Sequence, residues 1–230
     1  MIDKIKRWFS NYWYYYKWTV LIILFFVVVI VFCIVTSRGS GKYDVKILYT
    51  GPRFFQSGDE EQIEAVFVQL MSSDYDGDGK KITEFVGMPA FTDEQIEKAL
   101  MGNDDIAERM KYAQYTVDNV GNAFSQQAFV GDASICLLDQ CWYQRLLDNG
   151  GLVKLSEILG YRPDFAVDDY SVRLGDLYVY QFFDALAQLP DDTLVCFRTL
   201  STASAFTGRK ASEKMYENSK RLFVSIFDFN

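Results

Sequence analysis

Phe129–Leu159 reads FVGDASICLLDQCWYQRLLDNGGLVKLSEIL and holds one complete strand–helix unit. The turn Gly131-Asp132 leads into Ala133–Leu138, ASICLL, a short apolar run closed by Asp139. A continuous apolar run bounded by turn residues suits a strand buried on both faces. Cys141–Asp148 then has a helical pattern, and Asn149-Gly150-Gly151 ends it. Leu152–Leu159 reads as a turn or short helix.

The flanking sequence repeats this alternation. Tyr43–Thr50, YDVKILYT, is a strand closed by Gly51-Pro52. Asp59–Met71 places acids in its first turn and Ile63, Val66, Phe67 and Leu70 at helical spacing. Lys80–Val86 is a second strand. Thr92–Met101 opens with Thr-Asp-Glu-Gln, an N-cap signature, and Asp104–Phe129 is helical with a break near Gly121. Tyr170–Tyr180 suits a hairpin around Gly175-Asp176, and Phe182–Leu189 a short helical or irregular piece. Pro190-Asp191-Asp192 turns the chain into a strand at Thr193–Thr199, and Lys210–Phe227 closes as a helix. Strands alternating with helices predict an α/β domain with a mixed sheet over residues 43–230.

The segment 129–159 resembles part of bacterial extracellular solute-binding proteins. The resemblance rests on Gly131-Asp132-Ala133, the strand Ile135–Asp139, the helix Trp142–Leu147 and the closing Gly151-Leu152-Val153-Lys154-Leu155. VKILYTGP and Pro190-Asp191-Asp192 before TLVCFR fit the same lobe. The resemblance implies a lobe of a periplasmic-binding-protein fold and a ligand held between lobes. A typical member has two lobes, and this domain has the size of one.

Outside the domain, Trp18–Thr36, WTVLIILFFVVVIVFCIVT, has no charge, Pro or Gly. At about 1.5 Å per residue it approaches the roughly 30 Å of a bilayer core, which predicts a single transmembrane helix. Residues 1–17 carry Lys4, Lys6, Arg7 and Lys17 among Trp8, Phe9, Tyr12, Trp13, Tyr14, Tyr15 and Tyr16, as an interfacial segment would. Residues 37–42 form a Gly/Ser linker. No cleavage-site pattern follows the apolar run, so an uncleaved signal anchor is expected. Basic residues flank the run almost equally. Lys17 abuts it, which favours a cell-membrane protein with a cytoplasmic N-terminus and an extracellular C-terminal domain.

Composition restricts the chemistry. The chain of 230 residues has no histidine, 23 Lys+Arg against 31 Asp+Glu, and a net charge of -8. Triads and zinc sites that use histidine are excluded. The acidic balance argues against nucleic acid as a partner. No Gly-x-Ser-x-Gly elbow, Ser-x-x-Lys motif or phosphate-binding glycine loop is present. The pairs Asp168-Asp169 and Asp191-Asp192 suit turns and caps better than a general acid/base dyad. The chain reads as no enzyme.

Two constellations remain. Asp74, Asp76 and Asp78 form D-x-D-x-D-G with Gly79, the opening of a calcium loop, and the Lys80 carbonyl would be the next Ca2+ ligand. The loop lacks an acid at its twelfth position, Phe85, and its other reading is a solvated acidic turn. Ligands of α/β sheets bind beyond the carboxyl ends of the strands. That rule selects Tyr49, Thr50, Asp139 and Arg198, with Trp142 and Tyr143 as stacking platforms for a sugar or amino acid or, alternatively, as packing residues. Cys136 and Cys196 read as small core residues, with a Cys136–Cys141 bridge as the alternative.

The expected function is non-catalytic: a membrane-anchored binding or interaction domain, with the bilayer, envelope proteins or a small solute as partners. The alternative is a calcium-stabilised scaffold module of a cell-envelope assembly. Convergence of Tyr49, Asp139 and Arg198 on a concave face would favour small-ligand binding. Dispersal, with that face covered by residues 160–190, would favour an interaction or spacer role.

Overall fold

The strand Val45–Gly51 (β1) occupies the interior of the domain because both its faces are apolar. Val45, Ile47 and Tyr49 point into one hydrophobic cluster and Leu48 into another. The structure is a computed structural model that describes residues 16–30, 43–75, 77–101, 105–201 and 209–229. The chain divides into two units, Met1–Lys42 and Tyr43–Asn230.

In the second unit, the described strands and α-helices after β1 are α2 (Asp59–Leu70), β2 (Thr83–Pro89), α3 (Asp93–Ala99), α4 (Ile106–Ala113), α5 (Val117–Ser125), β3 (Ile135–Leu138), α6 (Gln140–Asp148), α7 (Leu155–Leu159), β4 (Ser171–Arg173), α8 (Tyr178–Phe182), β5 (Leu194–Phe197) and α9 (Arg209–Asp228). Among the described residues they form one five-stranded mixed sheet, ordered β2-β1-β3-β5-β4. β1 runs parallel to β2 and β3, while β5 runs antiparallel to β3 and β4. The expected α/β class with a mixed sheet is the class observed.

Helices cover both faces. On one face Ile63, Val66, Phe67 and Leu70 of α2 and Leu222, Phe223 and Ile226 of α9 pack on Val45, Ile47, Phe85, Ile135 and Phe197. Val172, Leu174, Leu177, Val179, Leu186 and Leu189 join that cluster, so the segment near 170–190 closes the same face. On the other face Val120 and Phe124 of α5 and Trp142, Tyr143 and Leu146 of α6 pack on Leu48, Cys136, Leu138 and Cys196. At roughly 25 cal/mol per Å² of apolar area, these two layers are the main stabilising contribution.

Several expectations need correction. No helix among the described residues is long and apolar enough to cross a membrane. The described helix of the first unit, α1, covers residues 16–30. Residues 31–36 of the expected span and residues 1–15 of the expected interfacial segment lie outside the described residues. The lack of a membrane-crossing helix among the described residues argues against the expected transmembrane helix, the signal anchor and the cell-membrane localisation with an extracellular domain.

The helical stretch before β3 breaks at Gln114–Thr116, not at Gly121. The Tyr115 carbonyl accepts from Phe91 N (2.8 Å), Val117 N donates to the Phe91 carbonyl (3.2 Å), and Thr116 restarts the helix as its N-cap. No hairpin forms at 170–180. Val172 pairs with Val195 of β5, while Leu174, Leu177 and Val179 turn into the core.

Candidate functional site

The carboxyl ends of β1, β2 and β3 lie side by side, and the connections leave them in opposite directions. After β1 the chain passes through α2 to β2 on one flank. After β3 it passes through α6 toward β5 on the other. This is the switch-point arrangement at which open α/β sheets place ligands.

Three expected residues meet there. Tyr49 and Thr50 end β1, fully buried, and Asp139 follows β3 with its N–H donating to the Thr50 carbonyl (2.9 Å). Asp139 caps α6, its Oδ1 accepting from Cys141 N (3.1 Å), while its Oδ2 accepts from Gln95 Nε2 (3.0 Å). Gln95 also completes the Thr92 capping box of α3, so one side chain ties α3 to the sheet edge. Among the described residues few buried side-chain atoms lack a hydrogen bond, and Tyr49 Oη, Thr50 Oγ1 and Arg53 Nε all fall at this end of β1. Burial, then the Asp139 charge, pushes the Tyr49 hydroxyl far above its usual range. The phenol is neutral at physiological pH.

The other three expected residues do other work. Trp142 is buried against Phe124, ring centroids 4.6 Å apart. Tyr143 is buried and donates its hydroxyl to Asp168 Oδ2 (2.5 Å). Asp168 also accepts from Tyr170 N and Ser171 N, the turn role expected of that acid pair. Arg198 lies at the opposite end of the sheet because β5 is antiparallel. Its Nε, Nη1 and Nη2 donate to the carbonyls of Ala133 (2.7 Å), Ala128 (2.8 Å) and Gly131 (2.6 Å). It is a buried staple for the turn that enters β3, and its burial lowers its pKa. The six residues do not converge.

A feature the sequence reading missed lies beside the switch point. The loop after β1 carries Phe54 and Phe55 against the region before α5. Phe54 packs on Phe91 (4.8 Å), Tyr112 (5.2 Å) and Tyr115 (5.2 Å), with Lys111 Nζ 4.1 Å above its ring. Phe54, Phe55, Glu60, Gly87, Pro89 and Tyr115 line an open groove of about 430 Å³. The neighbouring helices α3 and α4 bury no side chain, and Met101, Ile106 and Met110 are 87%, 73% and 64% exposed. The aromatic spacing at 54, 91, 112 and 115 has no local period, so only long-range packing assembles it. A second crevice, about 490 Å³, is lined by Arg173, Asp176, Tyr180, Asp191 and Asp192. There Thr193 N donates to the Pro190 carbonyl (3.1 Å), which makes the Asp pair a turn, and Gly175 N donates to the Asp191 carbonyl (2.9 Å).

In the acidic loop, Asp74 accepts from Gly77 N (2.8 Å) and Gly79 N (2.6 Å), and Asp78 accepts from Lys80 N (2.8 Å). Asp76 lies outside the described residues, and among those described no group of three metal-ligating acids or cysteines forms. Cys136 and Cys196 are buried register partners and Cys141 is half-buried, all three free thiols.

No protein-family profile, no curated protein and no solved structure matches this chain.

Proposed function

We propose that residues 43–230 form a non-catalytic interaction domain that takes a polypeptide partner on the aromatic groove at the carboxyl edge of the sheet. The observation that carries this reading is the groove itself. Its rings are half-exposed, and the helices beside it leave Met101, Ile106 and Met110 in solvent. Monomeric surfaces seldom expose contiguous apolar area without a partner, and aromatic residues are enriched at interfaces. The separation of Arg198 from Tyr49 and Asp139, and the face closed by residues near 170–190, support an interaction role over a concave small-ligand cleft. The missing histidine and the buried, protonated thiols support the non-catalytic part.

One observation favours a second reading. The Tyr49 and Thr50 hydroxyls are buried without a hydrogen bond at the switch point, which suits a small polar ligand there. Both readings are separable. A photo-crosslinking residue at Tyr115 of the full chain is expected to give an adduct with a discrete polypeptide, and the same residue at exposed Phe165 is not. Equal labelling at both positions, or none at 115, would count against the groove. A thermal-shift screen of amino acids and sugars that responds to Tyr49→Phe would instead favour the small ligand.

A further inference from the structure

We infer that β2 accepts an additional strand: an extended, basic polypeptide segment pairs with its open edge and seats one apolar side chain in the aromatic groove. This rests on the interaction reading above and specifies its partner. β2 is the terminal strand of the sheet and is paired along one side only, with β1 over all seven of its residues. Its other side is visible in two hydrogen bonds. Phe85 N donates to Glu64 Oε1 (2.8 Å) and Gly87 N donates to Glu60 Oε1 (3.1 Å). Glu60 and Glu64 stand one helical turn apart on α2. That spacing, about 6 Å, matches the separation of alternate residues along a strand. Within a strand the N–H and C=O of one residue point to the same side, so the Phe85 and Gly87 carbonyls also face outward.

An edge of this kind is a template for pairing, and proteins normally protect it. Here the protection comes from two long side chains rather than from another backbone. An incoming strand supplies carbonyls to the two amides and amides to the two carbonyls, and it releases both carboxylates. The freed carboxylates fix the charge of the partner. α2 carries Asp59, Glu60, Glu61 and Glu64 and no basic residue. Asp59 is already paired with Arg53 (3.4 Å), and lysine or arginine side chains on the added strand answer the three glutamates. A second copy of β2 would bring the same acids against them, which disfavours self-pairing.

The groove begins where the edge ends. Gly87 and Pro89, the last residues of β2, form part of its wall with Phe54, Phe55 and Tyr115. A Cβ at Gly87 would stand 2.5 Å from Phe55 Cε2 and 2.6 Å from Glu60 Oε1, so any larger residue there must displace those side chains. The backbone thus supplies affinity along the edge, and the groove reads one side chain, the division of labour of strand-addition sites.

The test uses the full chain and a fluorescent peptide of alternating lysine and valine with phenylalanine at its centre. Anisotropy is expected to show saturable binding. N-methylation of the alternate amides that face β2 should abolish it, while methylation of the other alternate set should leave it intact. Replacing the lysines by glutamates, or pairing the peptide with a Glu60→Gln/Glu64→Gln protein, should weaken binding roughly tenfold or more. Glutamine keeps an oxygen for each amide, so the double variant retains the edge caps. Indifference to which amides are methylated would overturn strand addition while leaving the groove as an interaction site. Absence of saturable binding, or a dimer of the full chain that excludes the peptide, would overturn the inference as well. Crosslinking at Tyr115 judges the interaction reading separately.

Discussion

Arg198 donates its backbone N–H to the carbonyl of Ser134 at 2.8 Å, which sets this arginine at the amino end of β3, the far end from Asp139. Its side chain then reaches three further carbonyls and is almost fully buried. Arg198→Ala removes a buried cation and leaves those carbonyls without donors. The expected loss of stability is about 3–5 kcal/mol. Urea denaturation checks it, and a loss below about 1 kcal/mol would mean the carbonyls find water.

Tyr49 and Gly51 are coupled through close approach. A Cβ at position 51 would lie 2.8 Å from the Tyr49 hydroxyl. Gly51→Ala should destabilise the domain by about 1–3 kcal/mol. Tyr49→Phe deletes a hydroxyl that makes no hydrogen bond and should be neutral or slightly stabilising. In the double variant the alanine should cost clearly less, a coupling of about 0.5 kcal/mol or more. Strict additivity would place the clash elsewhere.

Stability should fall in alkali. Burial raises the Cys136 thiol from 9.0 in the unfolded chain to about 11 in the folded one. The folded state then binds more protons, so the contribution is complete below about 9 and is lost as pH rises through about 11. Cys196 is shifted in the same direction by burial and by Cys136. Urea midpoints measured across this window should decline, and a Cys136→Ala/Cys196→Ala protein should decline less. Parallel profiles would assign the loss to the buried tyrosines.

Asp74 organises the acidic loop by accepting from Gly77 and Gly79. Asp74→Ala should cost about 1 kcal/mol, as loss of a side-chain cap does. A calcium-dependent rise in melting temperature that vanishes in the Asp74 variant would support the metal reading, and no change with calcium or a chelator would sink it.

The alternation of strand and helix was legible in the chain because side-chain periodicity is a local property. Ile63, Val66, Phe67 and Leu70 mark one helix face in the sequence, and the same four residues are buried in the fold. The Thr92–Gln95 capping box spans four residues and is equally local. Tyr49, Thr50 and Asp139 could be placed at the sheet edge because β1 and β3 run parallel. Arg198 could not, since nothing in TLVCFRT encodes the direction in which it pairs. The break after α4 was missed for a related reason: it depends on Phe91 bonding across to residues 115–117.

By itself, the amino-acid sequence determined the α/β class, the acidic character of the domain and the exclusion of histidine chemistry, all of which follow from composition and short-range spacing. Tertiary structure alone decided that β5 runs antiparallel, that Arg198 is a staple, and that β2 stands at the edge with Glu60 and Glu64 over its amides. It also assembled Phe54, Phe91, Tyr112 and Tyr115 into one aromatic cluster, of which Phe54 and Tyr115 line the groove. These are relations between segments distant along the chain. They arise only when burial of both sheet faces selects one strand order from the several that the same periodicity allows.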